Sequence, residues 1–337
     1  MNTNLANQFL SALGGDPGVF PHQYVPVMDQ MLLARLPVAT LREASFLDER
    51  IMTRETQGIW VPADQVAAAA AALPAPPVSY IFHSGHCGST LVSRLLGAAS
   101  EAIALREPLP LRAFAFDAAE GGAAMLAPDM ARARLSLLEK LWARGASAAV
   151  VKATSICTGL AADLLPPDRK AVYVSQRPDI HLAVLLAGRN AVNDLRAFAQ
   201  LRWRRLNAQI SLTPLAKFSS GELAALGWLA EMEAAARADL PVFDFDAVLR
   251  SPEETLSAVA AALGVSAPPD RIAAAASSPI MKRYSKAPEH DYDAALRSEV
   301  IAKARLDHGA EIQKGLDWLN RLGAREASVK TVLDHWA

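Results

Sequence analysis

Ser84-Gly85-His86-Cys87-Gly88-Ser89-Thr90 is the stretch of this chain whose residue types and order can bind an anion and work on it. Gly85 and Gly88 let the backbone come close to a phosphate or sulfate and turn N–H groups toward it. Ser89 and Thr90 add hydroxyl donors where an amphipathic helix opens, and the helix dipole adds positive potential. The loop is not a Gly-x4-Gly-Lys-Ser/Thr phosphate loop, which would need Gly at His83 and Lys at Ser89. A lysine to reach β/γ-phosphates and the usual Mg²⁺-binding arrangement are therefore missing. His83 and His86 are candidate bases. Cys87 sits where a helix N-terminus favours the thiolate and covalent chemistry.

The loop needs a strand before it and a helix after it, and the pattern supplies both. Val78–Phe82 is a short β-prone run, and Thr90–Ala99 reads as a helix. Further short apolar runs follow at Ala102–Leu105, Ala148–Lys152, Lys170–Ser175 and Val242–Phe245. Between them lie helical patterns over Asp129–Arg144, Ser155–Leu165, Ile180–Leu186, Asp194–Leu206, Glu222–Ala238 and Pro252–Leu263, the last stopped by Gly264. Strands alternating with helices of these lengths predict a P-loop-containing α/β fold of three layers, α/β/α, with a central parallel sheet. Ahead of it, Asn4–Leu13 and the Ala-rich Pro62–Leu73 read as helices, and Pro74-Ala75-Pro76-Pro77 is the strongest break in the chain. The expected organisation is a mainly helical N-terminal extension, 1–77, followed by the α/β domain, 78–337.

The whole chain, 337 residues and 36.0 kDa, suits one large α/β domain with an appendage, or two modest domains. A formal net charge of −1 gives no basic field to attract nucleic acid, so any anion site is local. Two cysteines, Cys87 and Cys157, make no disulfide framework, and no Cys/His cluster has zinc spacing. The N-terminus lacks a basic segment followed by an apolar run. The most apolar stretch, Val66–Pro77, is too short to span a bilayer. A soluble, cytoplasmic protein without a membrane span is the expectation.

Gly88-Ser89-Thr90-Leu91-Val92-Ser93-Arg94-Leu95-Leu96 resembles, without a gap, the Arg-Ser-Gly-Ser/Thr-Thr-Leu-Leu-x-Arg-Leu-Leu signature of the sulfotransferase family. A second resemblance, Val242–Leu249 followed by Ser251-Pro252-Glu253-Glu254-Thr255-Leu256 and Leu263-Gly264-Val265, matches a structural segment near the end of that family. Together they span 78–265, with little similarity between about Asn190 and Asp239. The resemblance implies that Ser84, Gly85, His86, Cys87, Gly88, Ser89 and Thr90 bind the 5′-phosphosulfate of 3′-phosphoadenosine 5′-phosphosulfate. His86 stands where the family carries a basic residue. Glu107 is implied as the base that takes the acceptor proton, with the alternative that it pairs with an arginine and fixes the loop. Lys152, in Val151-Lys152-Ala153-Thr154-Ser155, is implied to steady charge on the transferring group, the alternative being a sheet-edge cap. At the donor 3′-phosphate element, Gln176 stands at the family's arginine with Arg177 beside it. Val184 and Leu185 stand where its serine is expected. A basic loop, Met281–Lys286, brings Lys282, Arg283 and Lys286 as candidates to close over the nucleotide. Arg202-Trp203-Arg204-Arg205 reads foremost as a solvated helix face.

The function implied is sulfuryl transfer from 3′-phosphoadenosine 5′-phosphosulfate to a hydroxyl or amine of a small-molecule or peptide acceptor, with no metal required. The alternatives are a nucleotide-dependent phosphotransferase on a degenerate loop and a non-catalytic nucleotide-binding relative. Acceptor selectivity is expected in residues 1–77 and in the helices of 196–238.

Overall fold

In a computed structural model, residues 3–119, 126–283 and 293–336 are described. The first 77 residues contain a three-stranded antiparallel sheet, β1 (Val19–Val25), β2 (Gln30–Arg35) and β3 (Gly58–Pro62), with short helices Thr3–Ala12, Val38–Glu43 and Ala63–Ala69 around it. The expectation of a mainly helical extension is corrected here. Two things hid these strands. Pro21 and His22 interrupt the first, where the register shifts, and Met31-Leu32-Leu33-Ala34 fits a buried strand or a helix equally well. The turn between them closes through Pro26 at the start of a 3-10 turn and Asp29 in the left-handed region (φ 46°).

The larger sheet is parallel and follows the predicted strands: β4 (Val78–His83), β5 (Ile103–Arg106), β6 (Ala149–Lys152), β7 (Ala171–Ser175) and β8 (Val242–Asp244), in the order β5-β6-β4-β7-β8. Every residue of β4 to β7 is buried, which is why these strands read as unbroken apolar runs. Alternate residues feed two clusters. Tyr80, Phe82, Val151 and Tyr173 pack with Trp142, Leu182, Trp228 and Leu319 from helices on one face. Ile81, Val150, Val172 and Val174 pack with Leu95, Leu256 and Ile272 from helices on the other. Phe9, Phe20, Met31, Leu33 and Val61 of the N-terminal region belong to the first cluster, so the small sheet shares the core of the large one.

Local chemistry fixes the helix ends. Ser219 and Glu222 form a capping box at the start of Ser220–Arg237, and Gly264 (φ 66°) ends Pro252–Leu263. The helical pattern over Ser155–Leu165 breaks instead into a 3-10 turn, Ser155–Gly159, and one α turn, Leu160–Asp163. A Cβ at Gly159 would lie 2.6 Å from Arg205 Nη1, so that turn runs hard against a neighbouring helix. A 30-residue helix, Ala294–Gly323, lies beyond the segments the sequence pattern resolved.

Candidate functional site

In parallel α/β sheets, ligands bind at the carboxyl ends of the strands. Here β4 to β7 release the 84–88 loop, Glu107, Thr154-Ser155 and Gln176 at that end. A cavity of about 520 Å³ opens there, walled by Ser84, Gly85, His86, Glu107, Thr154 and Ser155, among others.

The loop is built as a concave turn. Gly85 (φ 85°), His86 (φ 49°) and Gly88 (φ 76°) all lie in the left-handed region, which costs a non-glycine residue such as His86 about 1 kcal/mol. Gly88 is required twice, since a Cβ there would also lie 1.9 Å from the Phe245 ring. The helix Ser89–Ala99 starts immediately after it. Thr90 Oγ1 is buried and has no hydrogen-bond partner among the described residues. An unmet buried hydroxyl costs about 1–3 kcal/mol, so a phosphosulfate oxygen accepting from it would remove a standing penalty. The loop residues present therefore fit an anion.

His83 is not free to act as a base. Gly85 N donates to its Nδ1 at 2.9 Å, so Nε2 carries the proton and donates to Ala153 O at 2.8 Å. Both nitrogens brace the loop. The Cys87 thiol is fully buried and donates to Val174 O at 3.1 Å. Burial pushes its pKa up, against the helix-terminus effect, so the thiolate expected from its position is disfavoured. His86 Nε2 stands 3.5 Å from Asp194 Oδ2 and lines the cavity.

Glu107 and Lys152 form one unit. Their side chains make an ion pair, with Lys152 wholly buried and Glu107 17% exposed on the cavity side. Glu107 (φ 56°) also donates its backbone N–H to Lys152 O at 2.6 Å. The alternative of an arginine partner for Glu107 gives way to Lys152. Lys152 caps no sheet edge, because β6 lies between β5 and β4.

The expected 3′-phosphate element is rearranged. Gln176 is fully buried, with its Oε1 accepting from Arg297 Nη2 at 2.9 Å and its Nε2 near His86 O at 3.4 Å. Arg297 also pairs with Asp246 at 2.7 Å and lies over the Phe245 ring. Arg177 stands apart from the cavity at the cap of Pro178–Ala187, its side chain 58% exposed and paired with Asp179 at 3.2 Å. Arg283 and Lys282 are exposed at the end of a 3-10 turn whose Ile280 and Met281 pack on the cluster holding Cys87 and Leu91. Lys286 lies outside the described residues.

Several residues that sequence reasoning missed surround the cavity. Arg202 is buried rather than solvated: it pairs with the fully buried Glu231 at 2.9 Å and donates to Ser155 Oγ at 3.0 Å. Arg205 takes the other Glu231 oxygen at 2.8 Å. A glutamate near the middle of the apolar helix Ser220–Arg237 was the signal, since a charge buried there needs a partner. From the N-terminal region come Phe46, Asp48 and Arg50; Arg112, one turn into the helix after Glu107, is a further wall residue. His181 is buried, with Nδ1 facing Ser84 Oγ at 3.5 Å and Gln176 Nε2 at 3.4 Å. Burial, then the charges of His86 and Arg202, pull its pKa down to about 3. A larger cavity, about 740 Å³, shares no wall residue with this one.

No protein-family model matches the chain, and no curated protein matches it. Among solved structures, one described as a sulfotransferase domain from the curacin biosynthetic pathway is similar. It has 13% identity over 69% of this chain and 97% of its own, with a TM-score of 0.36, a likeness too loose to carry an argument about this chain. Among the described residues no helix is long and apolar enough to cross a membrane.

Proposed function

We propose that this chain is a sulfotransferase that moves a sulfuryl group from 3′-phosphoadenosine 5′-phosphosulfate to a hydroxyl or amine acceptor. The observation that carries the reading is Glu107, paired with the buried Lys152, sharing one cavity with Ser84, Gly85 and His86 of the left-handed loop. In this reading the loop N–H groups and the Ser89 and Thr90 hydroxyls hold the phosphosulfate. The acceptor oxygen attacks sulfur, the bond from sulfur to the bridging phosphate oxygen breaks, and the electron pair leaves on that oxygen. The acceptor proton passes to the Glu107 carboxylate. As Glu107 is neutralised, the Lys152 charge turns to the oxygens that gain charge, with His86 beside them. Arg177 is assigned to the donor's 3′-phosphate, by leaving Asp179, and Arg283 and Lys286 to a basic loop that closes over the nucleotide. The work left to the protein is mainly positioning and electrostatics, as in phosphoryl transfer.

Glu107→Asp tests the base without discarding the ion pair. Release of 3′-phosphoadenosine 5′-phosphate, followed with a panel of alcohol and phenol acceptors, should fall about 10²-fold or more, with nucleotide binding kept. Unchanged turnover in this variant would remove Glu107 from the role.

A further inference from the structure

Six ionised side chains line the loop cavity: Asp48, Arg50, Glu107, Arg112, Asp194 and Arg202. Four have an ionised partner in contact, and Asp194 lies 3.5 Å from the His86 ring. Arg50 grips Asp48 with Nε–Oδ1 at 2.8 Å, Glu107 pairs with Lys152, and Arg202 with Glu231. Arg112 makes no hydrogen bond or ion pair among the described residues. The charge of Arg112 is felt at Asp48, but the hydrogen bonds to that carboxylate come from Arg50. The remaining wall is mixed, with an apolar part from Phe46, Leu185, Leu195 and Phe198 and a polar part from Ser84, Thr154, Ser155 and Asn193. A half-buried guanidinium that no carboxylate hydrogen-bonds, in a cavity whose other two arginines each hold one, is placed to take an anion.

We propose that Arg112 binds an anionic group on the acceptor, so that the acceptor is a hydroxy compound with an apolar body and a carboxylate, phosphate or sulfate. The word acceptor rests on the sulfotransferase reading; the anion site does not. Arg112 begins five positions after Glu107, one turn into Leu109–Ala119, so an anion held there leaves the hydroxyl to reach Glu107 across the cavity. Its forked donors suit a planar carboxylate.

The test uses 4-hydroxybenzoate and its neutral near-isostere 4-hydroxybenzamide, titrated calorimetrically into the full chain with and without saturating 3′-phosphoadenosine 5′-phosphate. Wild type should bind the benzoate at least about tenfold more tightly than the benzamide. Arg112→Gln should abolish that preference while leaving the benzamide affinity and nucleotide binding unchanged, and Arg112→Lys should restore part of it. Equal affinities in wild type, a preference that survives in Arg112→Gln, or binding of neither compound would each overturn the proposal. If the nucleotide fails to bind but the Arg112-dependent preference is present, the anion site stands and the donor assignment falls.

Discussion

Glu107 is the counter-charge of a wholly buried Lys152, and stability should reveal it. Glu107→Gln leaves the Lys152 ammonium fully buried without its counter-charge, which should cost about 3–5 kcal/mol in urea unfolding. Adding Lys152→Met to that variant should recover most of the loss, because the buried charge is gone. A single variant as stable as wild type would mean that water, not the carboxylate, satisfies Lys152. His181 gives a second residue-level consequence, in pH. Its folded pKa of about 3 lies below the ordinary 6.5 of histidine, so between those values the unfolded chain binds a proton that the folded protein refuses. The stability this histidine permits is complete above about pH 6.5 and is lost as the pH falls toward 3, at up to about 1.4 kcal/mol per pH unit. Burial lowers the pKa of His22 as well, against the raising effect of Glu49 and Asp48, and adds in the same direction. Urea midpoints measured from pH 7 to 4 should show a slope shallower by about one proton in His181→Asn. An unchanged slope would place the titration elsewhere.

At the level of elements, the segment after Val38–Glu43 carries Phe46, Asp48 and Arg50 into the cavity, and two arginines from the large sheet's side pin it. Arg106 Nε donates to Ala44 O at 2.6 Å and its Nη2 to Arg42 O, while Leu47 N donates to Arg106 O at 2.7 Å. Arg94 Nη2 reaches Glu43 O at 3.0 Å and Ser45 Oγ at 2.8 Å. Burial lowers the Arg106 pKa to about 10, still a cation at neutral pH. Arg106→Met should cost about 2 kcal/mol or more and speed amide exchange across 42–48 while leaving β4 protected. Uniform exchange over the chain would show that the brace is not local. The same segment shows what the sequence could and could not convey. Strands β4 to β7 were legible because burial on both faces makes them short, wholly apolar runs. The loop was legible because two glycines, two hydroxyls and a helix start coincide. β1 to β3 were hidden by Pro21, His22 and a run, Met31–Ala34, that suits either period. Arg202 and Arg205 looked like a solvated face because their partner, Glu231, lies on another helix. Arg297, which takes the amide of Gln176, came from a region without a readable pattern, and no local spacing reports a contact across more than a hundred residues.

Across the whole molecule, one apolar cluster joins the N-terminal sheet to the parallel sheet, so the cavity's wall at 46–50 and its floor at 84–107 are carried by one core. With a net charge of −1 the molecule as a whole offers an anionic nucleotide no long-range attraction, and affinity must come from local contacts. The most direct test of the account is therefore the stabilisation of the folded chain by nucleotides. A ligand at about 100 times its dissociation constant adds roughly 2.7 kcal/mol. Wild type should be stabilised by 3′-phosphoadenosine 5′-phosphate, and the Ser89→Ala, Thr90→Ala double variant should not respond. No stabilisation of wild type, or a response to ATP·Mg²⁺ alone, would contradict the sulfotransferase reading.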